Sequence, residues 1–119
     1  MPSERHGLKR VFLATRYSWQ GLRAAWRKEE AFRQEVVVAL VALPVAWFLG
    51  DTGVERALLA AVVINVLVIE LVNTAVENVV DRIGPDPHKL SGRAKDVGSA
   101  AVFMAIVLAA VVWGLVLFA

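Results

Sequence analysis

The sequence predicts an all-α integral membrane protein, with an N-terminal amphipathic surface helix followed by three transmembrane helices. Two observations favour this fold class. Hydrophobic residues make up 58% of the 119 residues and the mean hydropathy is +0.60, which is more apolar than an ordinary soluble domain. The charged residues are concentrated in the first 35 residues and over 81–96, so the stretches between them are nearly free of charge. The length fits a single domain over 1–119.

The N-terminal part divides into a predicted disordered leader, residues 1–7, and a predicted surface helix, residues 8–28. Over 8–28 one stripe recurs at steps of three and four residues, while the basic side chains lie mostly on the other face. The stripe consists of Leu8, Phe12, Thr15, Trp19, Leu22 and Trp26. A basic helix with such a stripe is typical of the membrane interface, although the stripe could instead pack on another protein element.

Three apolar segments predict membrane spans over 32–49, 54–81 and 97–118. The first contains Pro44, which either kinks the helix or is accommodated by a neighbouring helix. A turn signal at residues 50–53 separates it from the second span. A loop is predicted over 82–95. The third span is free of charge and carries small residues at four-residue spacing, which lets helices approach closely in lipid.

The distribution of Lys and Arg predicts the orientation. Of the thirteen basic residues, eight lie in the N-terminal 35 residues, four lie in the 81–96 segment and one, Arg56, lies in the 50–56 connection. The positive-inside rule therefore places the N-terminus and the 81–96 segment in the cytoplasm. No signal peptide is evident, because the N-terminus is polar and basic.

The middle span carries a narrow stripe of polar side chains. If Glu70 is set at zero on a helical wheel, Glu77 falls at about −20°, Asp81 at about +20° and Asn73 at about −60°. Carboxylates at this spacing repel one another and are costly at bilayer depth. A bound cation, protonation, or facing Lys and Arg side chains must compensate. Carboxylates of this kind hold Mg²⁺ in phosphoryl transfer, and one can act as a base. The alternative is hydrogen bonding between helices, which explains a single amide better than three acids in line.

Composition excludes several other classes. The absence of cysteine rules out a disulfide framework and a thiolate metal site. A net charge of +2 is too small to indicate a nucleic-acid partner. Neither a P-loop nor a protein-kinase glycine loop is present, so the pattern alone does not identify ATP. Arg93 and Lys95 could contact nucleotide phosphates or could simply anchor the third span.

Four segments resemble the prokaryotic diacylglycerol kinase family. They are residues 17–26 (YSWQGLRAAW), residues 31–35 (AFRQE), residues 70–82 (ELVNTAVENVVDR) and residues 90–101 (LSGRAKDVGSAA). The resemblance covers nearly the whole chain from about residue 8. It rests above all on the E-x-x-N-T-A-x-E-x-x-x-D motif followed by A-K-D.

The resemblance implies an ATP- and Mg²⁺-dependent kinase of the bacterial inner membrane. It would phosphorylate the free hydroxyl of diacylglycerol as a homotrimer, with active sites shared between subunits. Glu70 would be the catalytic base, Glu29 and Glu77 the metal ligands, and Asn73 and Asp81 supporting residues. The implied ATP contacts are Arg10, Tyr17, Glu29, Glu77, Asp86, His88, Lys95 and Asp96. The implied lipid contacts are Arg10, Ser18, Trp19, Arg23, Trp26, Ala31, Phe32, Glu35, Trp47, Arg56, Glu70, Ser99 and Trp113.

The chain differs from the family pattern between Gly84 and Leu90, where it reads PDPHK over residues 85–89 and a longer acid and an aromatic residue are expected near 86 and 87. The two prolines stiffen this loop. Three rival functions remain open. Relatives that phosphorylate undecaprenol share the Glu-Asn-Glu core. An oligomeric cation or proton pathway lined by Glu70 and Glu77 would explain the acids but neither the basic helix nor the Lys95–Asp96 pair. A non-catalytic membrane partner would leave the acids unexplained.

Overall fold

The computed structural model describes residues 2–84 and 86–119. Over these residues the chain forms four helices: α1 (Pro2–Lys28), α2 (Glu30–Leu49), α3 (Gly53–Ile83) and α4 (Lys89–Phe118). The last three are long and apolar enough to cross a membrane, with mean hydropathies of 1.6, 2.2 and 2.8 over their most apolar windows. The predicted all-α class and the three predicted apolar spans are therefore confirmed.

The ends of the helices differ from the prediction at two places. The structure departs from the predicted disordered leader over residues 1–7, because α1 already begins at Pro2; Met1 lies outside the described residues. Proline is favoured at the first helical position, since its fixed φ suits a helix and its missing N–H is not needed there.

The predicted loop over 82–95 is wrong for most of its length. Helix α3 continues to Ile83 and α4 begins at Lys89, so residues 82–83 and 89–95 of the predicted loop are helical. The imidazole of His88 caps α4, with Nδ1 accepting a hydrogen bond from the Leu90 N–H at 3.0 Å. Hydropathy indicates where a helix enters lipid, and a polar helical extension beyond that level carries no hydropathy signal.

Helix α3 is the central element. It packs most extensively against α4 and next against α2, while α1 packs chiefly against α2. The buried apolar set is small and rich in alanine: Ala25, Phe32, Ala39, Ala46, Leu59, Val62 and Ala105. Alanines allow the helices to approach closely where no large side chain fills the space. Pro44 lies within α2, which continues through it as one helix.

A tight connection joins α2 to α3. Arg56 Nε donates a hydrogen bond to the Trp47 carbonyl at 2.9 Å, and the Arg56 guanidinium lies 4.6 Å from the centre of the Trp47 ring. Gly50 is required here, because a Cβ at this position would lie 2.6 Å from Arg56 Cγ and 3.0 Å from the backbone nitrogen of Arg56. The Thr52 hydroxyl caps α3 by accepting from the Glu55 N–H at 3.1 Å.

Helices α1 and α2 meet at a one-residue break. Glu29 leaves the helical conformation, with φ −111° and ψ 105°. Arg33 Nη1 donates to the carbonyls of Trp26 at 2.8 Å and Arg27 at 3.1 Å, which would otherwise be open at the C-terminus of α1. Buried Ala25 and Phe32 flank the break. Contacts on both sides of Glu29 therefore stabilise this corner between α1 and α2, and Glu29 is the residue at which the chain turns.

Candidate functional site

The polar stripe on α3 runs from a buried end to an open end. Glu70 and Asn73 are buried, with 6% and 9% of their surface exposed. Glu77 is half-buried, whereas the side chain of Asp81 is 64% exposed. Successive members lie about one turn apart, so the stripe connects the packed interior to the helix end.

Asn73 is hydrogen-bonded to one glutamate of the stripe, Glu77. Its Nδ2 donates a hydrogen bond of 2.8 Å to Glu77 Oε1. Its Oδ1 is buried without a hydrogen-bond partner among the described residues, and so is Oε2 of Glu35 on α2. Buried acceptors are nearly always paired in folded proteins. The two unpaired acceptors therefore reduce the stability of this region.

Four carboxylates from three parts of the chain form one electrostatic cluster. The negative charges of Glu77 and Glu29 both act on Glu70, and the charge of Glu70 acts on Glu35. Like charges repel strongly at low dielectric, so packing alone does not favour bringing these carboxylates together. The cluster therefore calls for a positively charged partner or a proton.

The donor set fits a divalent cation that is shared with a ligand. Among the described residues no group of three His, Cys, Asp or Glu side chains is close enough to form a complete metal cage. Mg²⁺ does not need one, because it is usually held by one or two carboxylates together with water and substrate phosphates. Glu29 and Glu77 carry hard oxygen atoms of this kind, and the charges of both act on Glu70.

A cavity of about 500 Å³ lies between the end of α3 and the start of α4. It brings together Asp86, His88 and Lys95, three of the predicted ATP contacts, together with Asp81. Lys95 Nζ lies 2.6 Å from Asp81 Oδ1, and both side chains are largely exposed. Asp96, Arg10 and Tyr17 are exposed and do not line this cavity.

A larger groove of about 910 Å³ lies between α1 and α3. Ser18 and Glu29, both predicted site residues, line one side of it, and Lys28 lies beside them. Prediction missed the opposite wall, where Thr74, Asn78 and Arg82 lie next to the acidic stripe. Their spacing of four residues was a usable signal, since it forms a second polar ridge on α3.

The predicted lipid contacts do not lie in one place. Glu35, Phe32 and Ala31 follow the α1–α2 corner, and Ser99 on α4 follows Gly98, which lies against Asn73. Trp19, Arg23 and Trp26 are exposed on α1.

A second group of predicted lipid contacts lies far from the stripe. Arg56 and Trp47 are at the α2–α3 connection, and 14 residues of α3, about 21 Å, separate Arg56 from Glu70. Trp113 Nε1 donates to the Leu59 carbonyl at 3.1 Å, which ties α4 to α3 at this same end. Any contact of these three residues with lipid is therefore remote from Glu70.

Comparison with known proteins identifies the family. The profile of the prokaryotic diacylglycerol kinase family matches residues 16–117. The chain belongs to this family. A diacylglycerol kinase of Escherichia coli K12 is 49% identical over 117 residues, covering 98% of this chain and 96% of that protein.

Two further relatives extend the comparison. A diacylglycerol kinase of Haemophilus influenzae is 49% identical over 112 residues, covering 94% of this chain and 95% of that protein. One from Pseudomonas aeruginosa is 48% identical over 111 residues, covering 93% and 90%. The resemblance drawn from the sequence motifs is confirmed, and with it the assignment of the chain to a family of kinases with membrane-spanning helices.

Proposed function

We propose that this chain is a diacylglycerol kinase that transfers the γ-phosphoryl group of ATP, with Mg²⁺, to the free hydroxyl of diacylglycerol. The products are phosphatidic acid and ADP. The observation that carries the proposal is the stripe on α3: a buried glutamate, Glu70, lies on the same helix face as Glu77, which accepts a hydrogen bond from Asn73 near an open, polar helix end. A lipid hydroxyl can reach the buried end and a nucleotide the open end.

Glu70 is the proposed catalytic base. Its carboxylate accepts the proton of the lipid hydroxyl as the hydroxyl oxygen bonds to the γ-phosphorus and the bond to the ADP oxygen breaks. The proton then passes from Glu70 to water. The site of Glu70 suits this role, because burial removes competing water.

Glu29 and Glu77 are the proposed ligands of Mg²⁺, which when bound neutralises charge on the β- and γ-phosphates. Asn73 orients Glu77 by its hydrogen bond. Lys95 leaves Asp81 to contact a phosphate, which its exposure permits. We further propose contacts of the nucleotide with Arg10, Tyr17, Asp86, His88 and Asp96.

Diacylglycerol approaches along the membrane interface next to α1. The proposed surface helix is supported by its apolar stripe, which the rest of the chain leaves uncovered: Leu8, Phe12, Trp19, Leu22 and Trp26 are all exposed. Ser18 opens onto the α1–α3 groove. The proposed lipid contacts also include Arg23, Ala31, Phe32, Glu35, Ser99 and, at the other end, Trp47, Arg56 and Trp113.

We place the chain in the bacterial inner membrane as a homotrimer, with the N-terminus and the 81–96 segment in the cytoplasm. The orientation rests on the twelve basic residues of those two regions against the one of the α2–α3 connection. The trimer rests on family membership. It is supported by α4, most of whose apolar surface is not covered by this chain.

The deciding experiment is an assay of the purified protein in detergent micelles with Mg·ATP. Diacylglycerol, undecaprenol and no lipid are compared side by side, and Glu70→Gln is run as the inactive control. We expect ADP release only with diacylglycerol, with formation of phosphatidic acid. Turnover with undecaprenol alone would assign the alternative lipid. If ATP is not consumed with any of the lipids, the kinase proposal is wrong and the cation pathway becomes the favoured function.

A further inference from the structure

We propose that Gly98 is a positioning residue for the metal-binding carboxylate of Glu77. The missing side chain at Gly98 lets the Asn73 carboxamide lie directly against α4, and the carboxamide in turn fixes Glu77. The inference rests on the proposed function, since it takes Glu77 to be a metal ligand.

The contact between Asn73 and Gly98 is too close for any side chain at position 98. A Cβ built on Gly98 would collide with Asn73 Oδ1 and would lie 3.3 Å from Asn73 Cγ and 4.0 Å from Asn73 Cβ. Asn73 belongs to α3 and Gly98 to α4, so the contact joins the two most extensively packed helices. The carboxamide is buried and protein interiors are close-packed, so a methyl group at position 98 has to displace it.

The carboxamide is held in one orientation by its two ends. Nδ2 donates to Glu77 Oε1 at 2.8 Å, so a flipped amide would turn its oxygen towards the carboxylate and repel it. Oδ1 has no hydrogen-bond partner among the described residues and is buried against Gly98. Because the group is planar and rigid, displacing Oδ1 also displaces Nδ2. A methyl group at position 98 therefore moves the donor that orients Glu77.

Gly98 differs in this respect from the other glycine in the apolar part of α4. A Cβ on Gly114 would meet nothing within 4 Å, so alanine fits there without strain. Glycine within a helix is less stable than alanine by about 0.5–1 kcal/mol. Gly114→Ala is therefore a matched control, which changes the same residue on the same helix away from Asn73.

The test measures Mn²⁺ binding by electron paramagnetic resonance, with adenylyl imidodiphosphate present and no lipid. The variants are Gly98→Ala, Asn73→Ala, the double variant and Gly114→Ala. Loss of a hydrogen bond to a charged group corresponds to roughly a tenfold to hundredfold effect. We expect Gly98→Ala to weaken Mn²⁺ binding by about tenfold, Gly114→Ala to leave it unchanged, and Gly98→Ala to add less than about twofold when Asn73 is already alanine.

The possible results distinguish a positioning role of Gly98 towards Glu77 from a role in helix packing alone. Unchanged Mn²⁺ affinity in Gly98→Ala, even with a lower resistance to unfolding, would overturn the inference and leave the proposed function standing. Absence of Mn²⁺ binding by the unmodified protein would overturn both. If Gly98→Ala does not fold, the double variant decides: folding with the affinity of Asn73→Ala supports the inference, and failure to fold contradicts it.

Discussion

The polar side chains at the two ends of the α3 helix differ in whether they find hydrogen-bond partners within the chain. At the connection end, residues 47–59 with Trp113, the polar side chains bond to the chain itself: Arg56 to the Trp47 carbonyl, Trp113 to the Leu59 carbonyl and Thr52 to the Glu55 N–H. At the site end, residues 70–98 with Glu29 and Glu35, buried acceptors lack partners among the described residues and like charges face each other.

The two ends therefore differ in whether their polar side chains serve mainly stability or mainly function. Satisfied polar groups stabilise a fold, whereas unsatisfied acceptors and clustered acids reduce its stability until a ligand is bound. Substitutions at the site end should therefore change catalysis or ligand binding far more than stability. Substitutions at the connection end, apart from those of the proposed lipid contacts Trp47, Arg56 and Trp113, should do the reverse.

The largest expected effect is that of Glu70→Gln. Removing a general base lowers kcat by about 10²–10⁴-fold, while the amide keeps the size of the side chain. Steady-state kinetics with diacylglycerol measure the change, and nucleotide binding checks that the site is intact. Glu55→Gln, an equally conservative change at the other end of α3, is the control and should keep full turnover. Near-normal turnover of Glu70→Gln would move the base elsewhere.

Glu77→Gln should act mainly on the metal. Loss of one carboxylate ligand removes a charge-assisted contact, and we expect the Mg²⁺ concentration for half-maximal activity to rise by roughly tenfold or more. A titration of activity with Mg²⁺ at saturating ATP measures this. An unaltered titration curve would assign the metal to other carboxylates.

Lys95→Met should raise KM for ATP by several-fold with little change in stability. The lysine is exposed, so its ion pair with Asp81 adds little to stability. Asp81→Asn breaks the same ion pair and keeps the cation, so it should leave KM for ATP nearly unchanged. Equal effects of the two variants would mean that the ion pair itself, and not a contact of Lys95 with phosphate, is what matters.

The smallest effect on catalysis belongs to Thr52→Ala at the connection end. Loss of the α3 cap should lower the free energy of unfolding by about 1 kcal/mol, with kcat and KM unchanged. Unfolding in mixed micelles by a denaturing detergent measures the stability. Thr15→Ala is the control, because its hydroxyl bonds only to the carbonyl of Val11 within the exposed α1 helix. A large loss of turnover in Thr52→Ala would contradict the separation of the two ends.

Much of this arrangement could be predicted from the sequence, because membrane spans and helical faces leave strong periodic signals. Hydropathy located the three apolar helices, and helical spacing aligned Glu70, Asn73, Glu77 and Asp81. The start of α4 could not be predicted in this way, because its first two turns are polar and depend on the cap by His88.

Contacts between helices were beyond the reach of sequence patterns. Asn73 and Gly98 are 25 residues apart on different helices, and nothing in their spacing indicates that they touch. The α1–α3 groove was missed for the same reason, since its walls come from separate helices. The electrostatic link of Glu29 to Glu70 likewise requires the corner at residue 29.

The unequal lengths of α2 and α3 explain how a single chain can present side chains both to the membrane and to the aqueous phase. Helix α2 has 20 residues, about 30 Å, which matches the hydrocarbon thickness of a bilayer, whereas α3 has 31 residues, about 46 Å. Both start from the same short connection, so α3 projects about 16 Å beyond α2 at its far end. In the membrane orientation proposed above, α3 and its neighbour α4 form a two-helix post that rises from the membrane surface into water. Glu77, Asp81 and Lys95 lie on this post, and Glu70 lies nearer its base, where lipid hydroxyl groups are found.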